Sequence, residues 1–131
     1  LEITESVIMY DFEEVNSTFQ RLRELGVRIA LDDFGTGYSS FARIEELIVD
    51  VIKIDKHFVD KIAYKGQSNS ILNGLLAMSH NLGLQVVGEG VETEAQRHYL
   101  ANHNCDMMQG YLYSKPLRED LAMQKLTASD L

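Results

Sequence analysis

Short apolar runs alternate along this chain with longer stretches of helical periodicity. The strand candidates are Leu1–Ile3, Val27–Leu31, Val51–Ile54, Gln85–Gly88 and Met107–Gln109. Between the first two, Phe12, Val15, Phe19, Leu22 and Leu25 recur at helical spacing, and Gly26 supplies a stop. A helix opening at Ser39 or Ser40 would bury Phe41, Ile44, Leu47 and Ile48. Another, from about Ser68 to Leu82, carries Ile71, Leu72, Leu75, Leu76 and Leu82 ahead of Gly83. Thr93 followed by Gln96 is a capping box, and a last helix is expected after Pro116, a residue suited to a first turn. Strand–helix alternation demands parallel strands with crossover helices, which leaves a doubly wound sheet or a (β/α)8 barrel.

Side-chain parity chooses between them. Val27, Ile29 and Leu31 share one face of their strand, while Arg28, Ala30 and Asp32 share the other. Ile52 and Ile54 oppose Val51, Lys53 and Asp55; Gln85, Val87 and Glu89 share a face; Glu2 opposes Leu1 and Ile3. An apolar face toward helices and a mixed face ending in charge is what a barrel wall requires. Glu2, Asp32, Lys53 and Glu89 would then converge at the C-terminal rim of the strands.

The charge balance narrows the partners. Against 20 Asp+Glu stand 12 Lys+Arg, a net charge of −8, so a nucleic-acid polymer is not the expected ligand. Hydrophobic residues at 45% and charged residues at 24% describe an ordinary folded domain. The single Cys105 excludes an intrachain disulfide, fits the reducing cytoplasm and reads as a small core residue. The longest apolar run, "ELIVDVIKI", is broken by Asp50 and Lys53, so no membrane contact is expected of this segment. The opening "LEITES" lacks a signal peptide's basic and apolar regions and starts directly at a strand, as if cut from a longer chain.

Carboxylates converging on one rim repel one another unless a cation sits among them. Oxygen ligands without a spaced His pair suit Mg²⁺ or Mn²⁺ rather than Zn²⁺; His57, His80, His98 and His103 show no such spacing and read as surface residues. The adjacent Asp32 and Asp33, placed where an apolar run meets a glycine loop, fit two metals, with Asp32 bridging and Asp33 reaching the second from the loop. Two metals close together suit phosphoryl chemistry. The plainer reading of the same pair is two solvated turn formers. Lys53 either adds positive charge and orients water or forms an ion pair with a neighbouring carboxylate. Gly35 and Gly37 make Phe34–Ser40 a tight or mobile loop, but no Lys-Ser/Thr follows, so it is not a P-loop. "GEGVE" (88–92) sets Glu89 and Glu92 around a glycine turn, either for chemistry or as a strand exit with helix-dipole charge. "MQGYLYSKP" (108–116) carries Gln109, Tyr111 and Tyr113, which fit either a nucleobase contact or wall packing.

Together "LEITES" (1–6), "LDDFGTGYSS" (31–40), "VIKID" (51–55), "VVGEGVET" (86–93) and "MQGYLYSKP" (108–116) resemble the EAL phosphodiesterase family in order and spacing. That resemblance implies a modified (β/α)8 barrel and hydrolysis of cyclic diguanylate, a bacterial second messenger, to the linear dinucleotide with two Mg²⁺ or Mn²⁺. It implies metal ligation by Glu2, Asp32, Asp33 and Glu89, an attacking water held by Lys53 and oriented by Glu89, and a site glutamine at Gln109. Glu5 resembles the anchor of the glycine loop. Phe34, Gly35, Thr36, Gly37, Tyr38, Ser39 and Ser40 resemble the loop that couples dimerisation to metal binding, and Glu92 has a supporting place.

The family's Glu-Ala-Leu segment, an asparagine ligand and an early arginine have no counterpart in this sequence. Residues 1–131 therefore read as the C-terminal part of such a domain, an α/β partial TIM-like barrel with about five of the eight strand–helix units. Such a part is expected to be inactive alone and to self-associate, most simply as a homodimer, through open edges and an interior where Ala30, Val51 and Val87 are uncovered. Competing readings are a non-hydrolysing cyclic diguanylate receptor and a self-associating interaction module.

Overall fold

A computed structural model of the chain describes residues 1–9, 11–35, 41–62 and 69–128. Five parallel strands form one sheet in chain order: β1 (Glu2–Thr4), β2 (Ala30–Phe34), β3 (Val51–Ile54), β4 (Gln85–Glu89) and β5 (Met107–Gln109). The helices are α1 (Phe12–Glu24), α2 (Phe41–Glu46), α3 (Lys56–Asp60), α4 (Ser70–Asn81), α5 (Glu94–Asn102) and α6 (Glu119–Ala128), and a 3₁₀ turn covers Glu5–Met9. In-order parallel strands with crossover helices are the arrangement of a barrel wall, and the sheet is a partial barrel.

Local chemistry explains the boundaries. The Asp11 carboxylate accepts from the Glu14 amide to open α1, and Glu13 and Glu14 in its first turn and Arg21 and Arg23 in its last complement the helix dipole. Gly26, at φ +83°, turns the chain out of the helix. Leu25 lies past the helix end and is 79% exposed, so it is not part of the expected apolar stripe. Asn69 caps α4; there Leu72, Leu75 and Leu76 are buried, whereas Ile71 faces solvent. The Thr93–Gln96 capping box forms as expected. Pro116 precedes α6 rather than entering its first turn.

The second strand is the main departure. It runs over Ala30–Phe34, not Val27–Leu31, because the Val27 amide still donates to Leu22 O at the end of α1 and pairing to β1 begins at Ala30. Both aspartates and Phe34 therefore belong to the strand, and Phe34 is a fully buried core residue rather than a loop residue. Thr36, Gly37, Tyr38, Ser39 and Ser40 lie outside the described residues, as do the expected helix starts at Ser39 or Ser40 and at Ser68.

The parity reading holds. Ile29, Leu31, Ile52, Ile54 and Val86 are fully buried in one cluster with Phe19, Leu72, Leu76 and Leu100 from the helices. Each such side chain contributes roughly 1.5–3 kcal/mol by leaving water. On the opposite face Ala30 and Val87 are half-buried, but Val51 is only 8% exposed and so is not uncovered. The layer between sheet and helices holds the fold, which leaves the other face free to carry charge.

Candidate active site

The aspartate pair sits on a β-bulge. Leu31 pairs with Ile52 and Phe34 with Ile54, so Asp32 and Asp33 together oppose the single residue Lys53. In an unbroken strand Asp33 would point to the apolar layer with Leu31, and Phe34 would point away from it. Asp33 instead takes φ +53°, an uncommon conformation that Asp tolerates better than most residues, and its amide donates to Asp32 Oδ1 at 2.8 Å. Carboxylate oxygens of Asp32, Asp33 and Glu89 consequently all lie within 4.8 Å of one another.

Lys53 is the centre of the cluster. It is 6% exposed, and its Nζ donates to Glu89 Oε1 at 2.8 Å and Glu2 Oε1 at 2.9 Å, with Asp32 Oδ2 at 4.0 Å. Burial alone would push this ammonium's pKa down, but the hydrogen bonds from Glu89 and Glu2 outweigh it and the net shift is upward. Lys53 thus forms the ion pairs that one of the two sequence readings expects.

Burial raises the Glu89 carboxyl above its ordinary range; Lys53 works against this and Asp32 adds to it. Asp33 is also raised, by desolvation and by the neighbouring charges of Asp32 and Asp55. Desolvation is the largest cause of the upward shifts at Asp33 and Glu89, and the Asp32 charge adds to both. Four carboxylates around one ammonium leave surplus negative charge. A divalent cation held by Asp32, Asp33 and Glu89 would relieve it, and three clustered hard oxygens are donors that Mg²⁺ or Mn²⁺ accepts. The residues therefore fit the metal chemistry expected of them. Glu2, on β1, faces Lys53 and is not in that trio.

The remaining predicted residues are distributed around this centre. Glu5 is buried in the 3₁₀ turn after β1. Glu92 is exposed and pairs with Lys56 Nζ at 3.0 Å. Gln109 stands opposite Glu89 in the β4–β5 register, and its carbonyl accepts from the Val91 amide. Gly35, at φ +92°, follows the strand directly, and a β-carbon there would come within 2.7 Å of the Phe58 ring. Tyr111 and Tyr113 are exposed rather than packed in the wall. Cys105 is half-buried against the core. His57 and His98 are exposed, but His80 pairs with Asp106 and His103 stacks on Tyr99, both half-buried. Asp55 beside Asp33 had a signal in the sequence, since it shares the parity of Lys53; Lys56 had none.

The family model described as EAL domain matches residues 1–116. The chain belongs to the EAL domain family. It is 44% identical over 117 residues to the cyclic di-GMP phosphodiesterase NbdA of Pseudomonas aeruginosa, covering 89% of this chain and 15% of NbdA. The solved PaMucR phosphodiesterase in complex with c-di-GMP superimposes with TM-score 0.85 at 37% identity, over 93% of this chain and 49% of that one. The manganese/c-di-GMP complex of Klebsiella pneumoniae BlrP1 gives TM-score 0.78 at 33% identity, over 88% and 29%. This EAL chain therefore spans under a fifth of NbdA and about half of the solved MucR chain.

Proposed function

We propose that residues 1–131 are the C-terminal part of an EAL domain that hydrolyses cyclic diguanylate to the linear dinucleotide in the presence of Mg²⁺ or Mn²⁺. The observation that carries this reading is the bulge that sets Asp32 and Asp33 against the buried Lys53, with Glu89 closing the cluster. NbdA and MucR, as phosphodiesterases by name, support it. Asp32, Asp33 and Glu89, with Glu2 from the edge strand, would hold the ions. When bound, the ions promote ionisation of water and neutralise charge at phosphorus. Lys53 donates hydrogen bonds toward the attacking water and the phosphate, Glu89 orients that water and Gln109 lines the same rim. Glu5 is proposed to anchor the glycine segment that begins at Gly35, and Glu92 to support the Glu89 turn. The chain alone offers three clustered metal ligands and is proposed to turn over negligibly without the other half of the domain. No helix among the described residues is long and apolar enough to cross a membrane, and a cytoplasmic setting is proposed from the single Cys105, which suits a reducing compartment.

Self-association is proposed as a second property, because Leu117, Leu121, Met123 and Leu126 near the C-terminus are exposed. Sedimentation at micromolar concentration should show a dimer or larger species, and a monodisperse monomer would refute this.

Chromatography of cyclic diguanylate incubated with the full-length protein and Mn²⁺ tests the enzymatic reading. The linear dinucleotide should form, chelation should stop it, and Lys53→Ala should lower turnover by about 100-fold or more while leaving binding detectable. Binding without hydrolysis by the wild-type protein would make it a receptor.

A further inference from the structure

The turn that carries Glu89 is held from outside the cluster. Lys56, the first residue of α3, reaches across to β4: its Nζ lies 3.0 Å from Glu92 Oε1 and 2.7 Å from Asp60 Oδ1. Its stem runs over Gly90, where φ is +71° and a β-carbon would come within 2.6 Å of Lys56 Cβ and 2.7 Å of Cδ. A second tie fixes the far end of the same turn. The buried Gln96 side chain accepts from the Glu92 and Thr93 amides at 2.8 and 3.1 Å and donates to the Val59 carbonyl of α3 at 3.4 Å. Helix α3 follows β3, the strand of Lys53, with only the cap Asp55 between them. Beyond the parallel β3–β4 ladder, which ends at Ile54 and Gly88 just before Glu89, two side-chain ties join these elements: the 2.8 Å Lys53–Glu89 contact and, behind it, the pair Lys56 and Gln96.

We propose that Lys56 is a positioning residue: by bridging Glu92 to Asp60 and lying on Gly90, it holds the 89–92 turn where Glu89 meets Lys53. The inference rests on the reading of Lys53 and Glu89 as active-site residues. Lys56 sits outside the cluster, and its side chain is 45% exposed, so its replacement removes the tie without opening the core. Gly90 is part of the device, because only a residue without a β-carbon admits the stem.

The test compares Lys56→Met, which keeps an unbranched stem but loses the charge, with Lys56→Arg, which keeps both. In the full-length protein, kcat of Lys56→Met should fall by about 10- to 100-fold, since a displacement near 1 Å costs about 100-fold and a smaller one less. KM and the thermal midpoint should stay near wild type, and Lys56→Arg should restore most of the rate. A crystal structure of Lys56→Met supplies a readout independent of turnover: the Lys53–Glu89 contact should be lost, and it should return in Lys56→Arg. Retention of that contact in Lys56→Met overturns the proposal whatever the rate does. Loss of the contact in a protein whose wild type does not hydrolyse cyclic diguanylate upholds the positioning role and overturns the enzymatic reading instead.

Discussion

Two lysines show how differently the centre of the sheet and the C-terminal helix are built. Lys53, on the central strand β3, is 6% exposed and bridges Glu2 and Glu89. Lys125, on α6, donates to the Tyr113 carbonyl at the surface, and no residue of its helix is buried. Helix α6 is not poor in apolar residues: Leu121, Met123 and Leu126 are 42%, 56% and 60% exposed. Position in the sheet, more than hydrophobicity, decides what each segment does. Strand β3 has a parallel neighbour on both sides and helices behind it, so its inner face can hold a charge in place. Helix α6 follows β5, an edge strand among the described residues, and its apolar side chains remain available to another surface.

Leucine truncations in the buried layer and on α6 separate the two regions. Leu72→Ala removes a fully buried side chain of α4 and should cost about 3 kcal/mol of unfolding free energy in urea. Leu121→Ala, at a concentration low enough for the chain to be monomeric, should change it by less than about 0.5 kcal/mol. A comparable loss at both positions in the monomer would mean that α6 is packed within the chain.

A smaller effect tests how the last strand is attached. Asp106, just before β5, accepts from the Val86 amide of β4 and pairs with His80 of α4. Burial pushes its carboxyl up, but those hydrogen bonds and the His80 charge prevail and hold it below its ordinary 3.8. A depressed folded pKa gives stability that is present above the ordinary value and fades as pH falls through the folded one. Urea midpoints of wild type and Asp106→Asn should therefore differ at pH 6 and converge as the pH drops below about 4. A constant difference across that range would remove Asp106 from the attachment.

Much of this organisation is legible in the sequence where one periodicity dominates. Strands β3 and β5 fall where expected, the Thr93–Gln96 cap forms, and the alternation that sends Glu2, Asp32, Lys53 and Glu89 to one face survives in three dimensions. What escaped depends on neighbours. The bulge exists only in the pairing of β2 with β3, and parity alone would send Asp33 to the wrong face. Helix α3 has five residues, too few to show a period, so Lys56 carried no signal. Leu25 and Ile71 fit their helical stripes as residue types but lie beyond a helix end and on an outward face.

A bulge that gathers carboxylates for a divalent cation makes Mn²⁺ binding depend on Asp32. Calorimetric titration of the chain with Mn²⁺, beside its Asp32→Asn variant, tests it most directly, since that change removes one negative charge at nearly constant size. The account predicts weak but measurable binding by the wild type and an affinity lower by about tenfold or more in the variant. Equal affinities for the two proteins would contradict it.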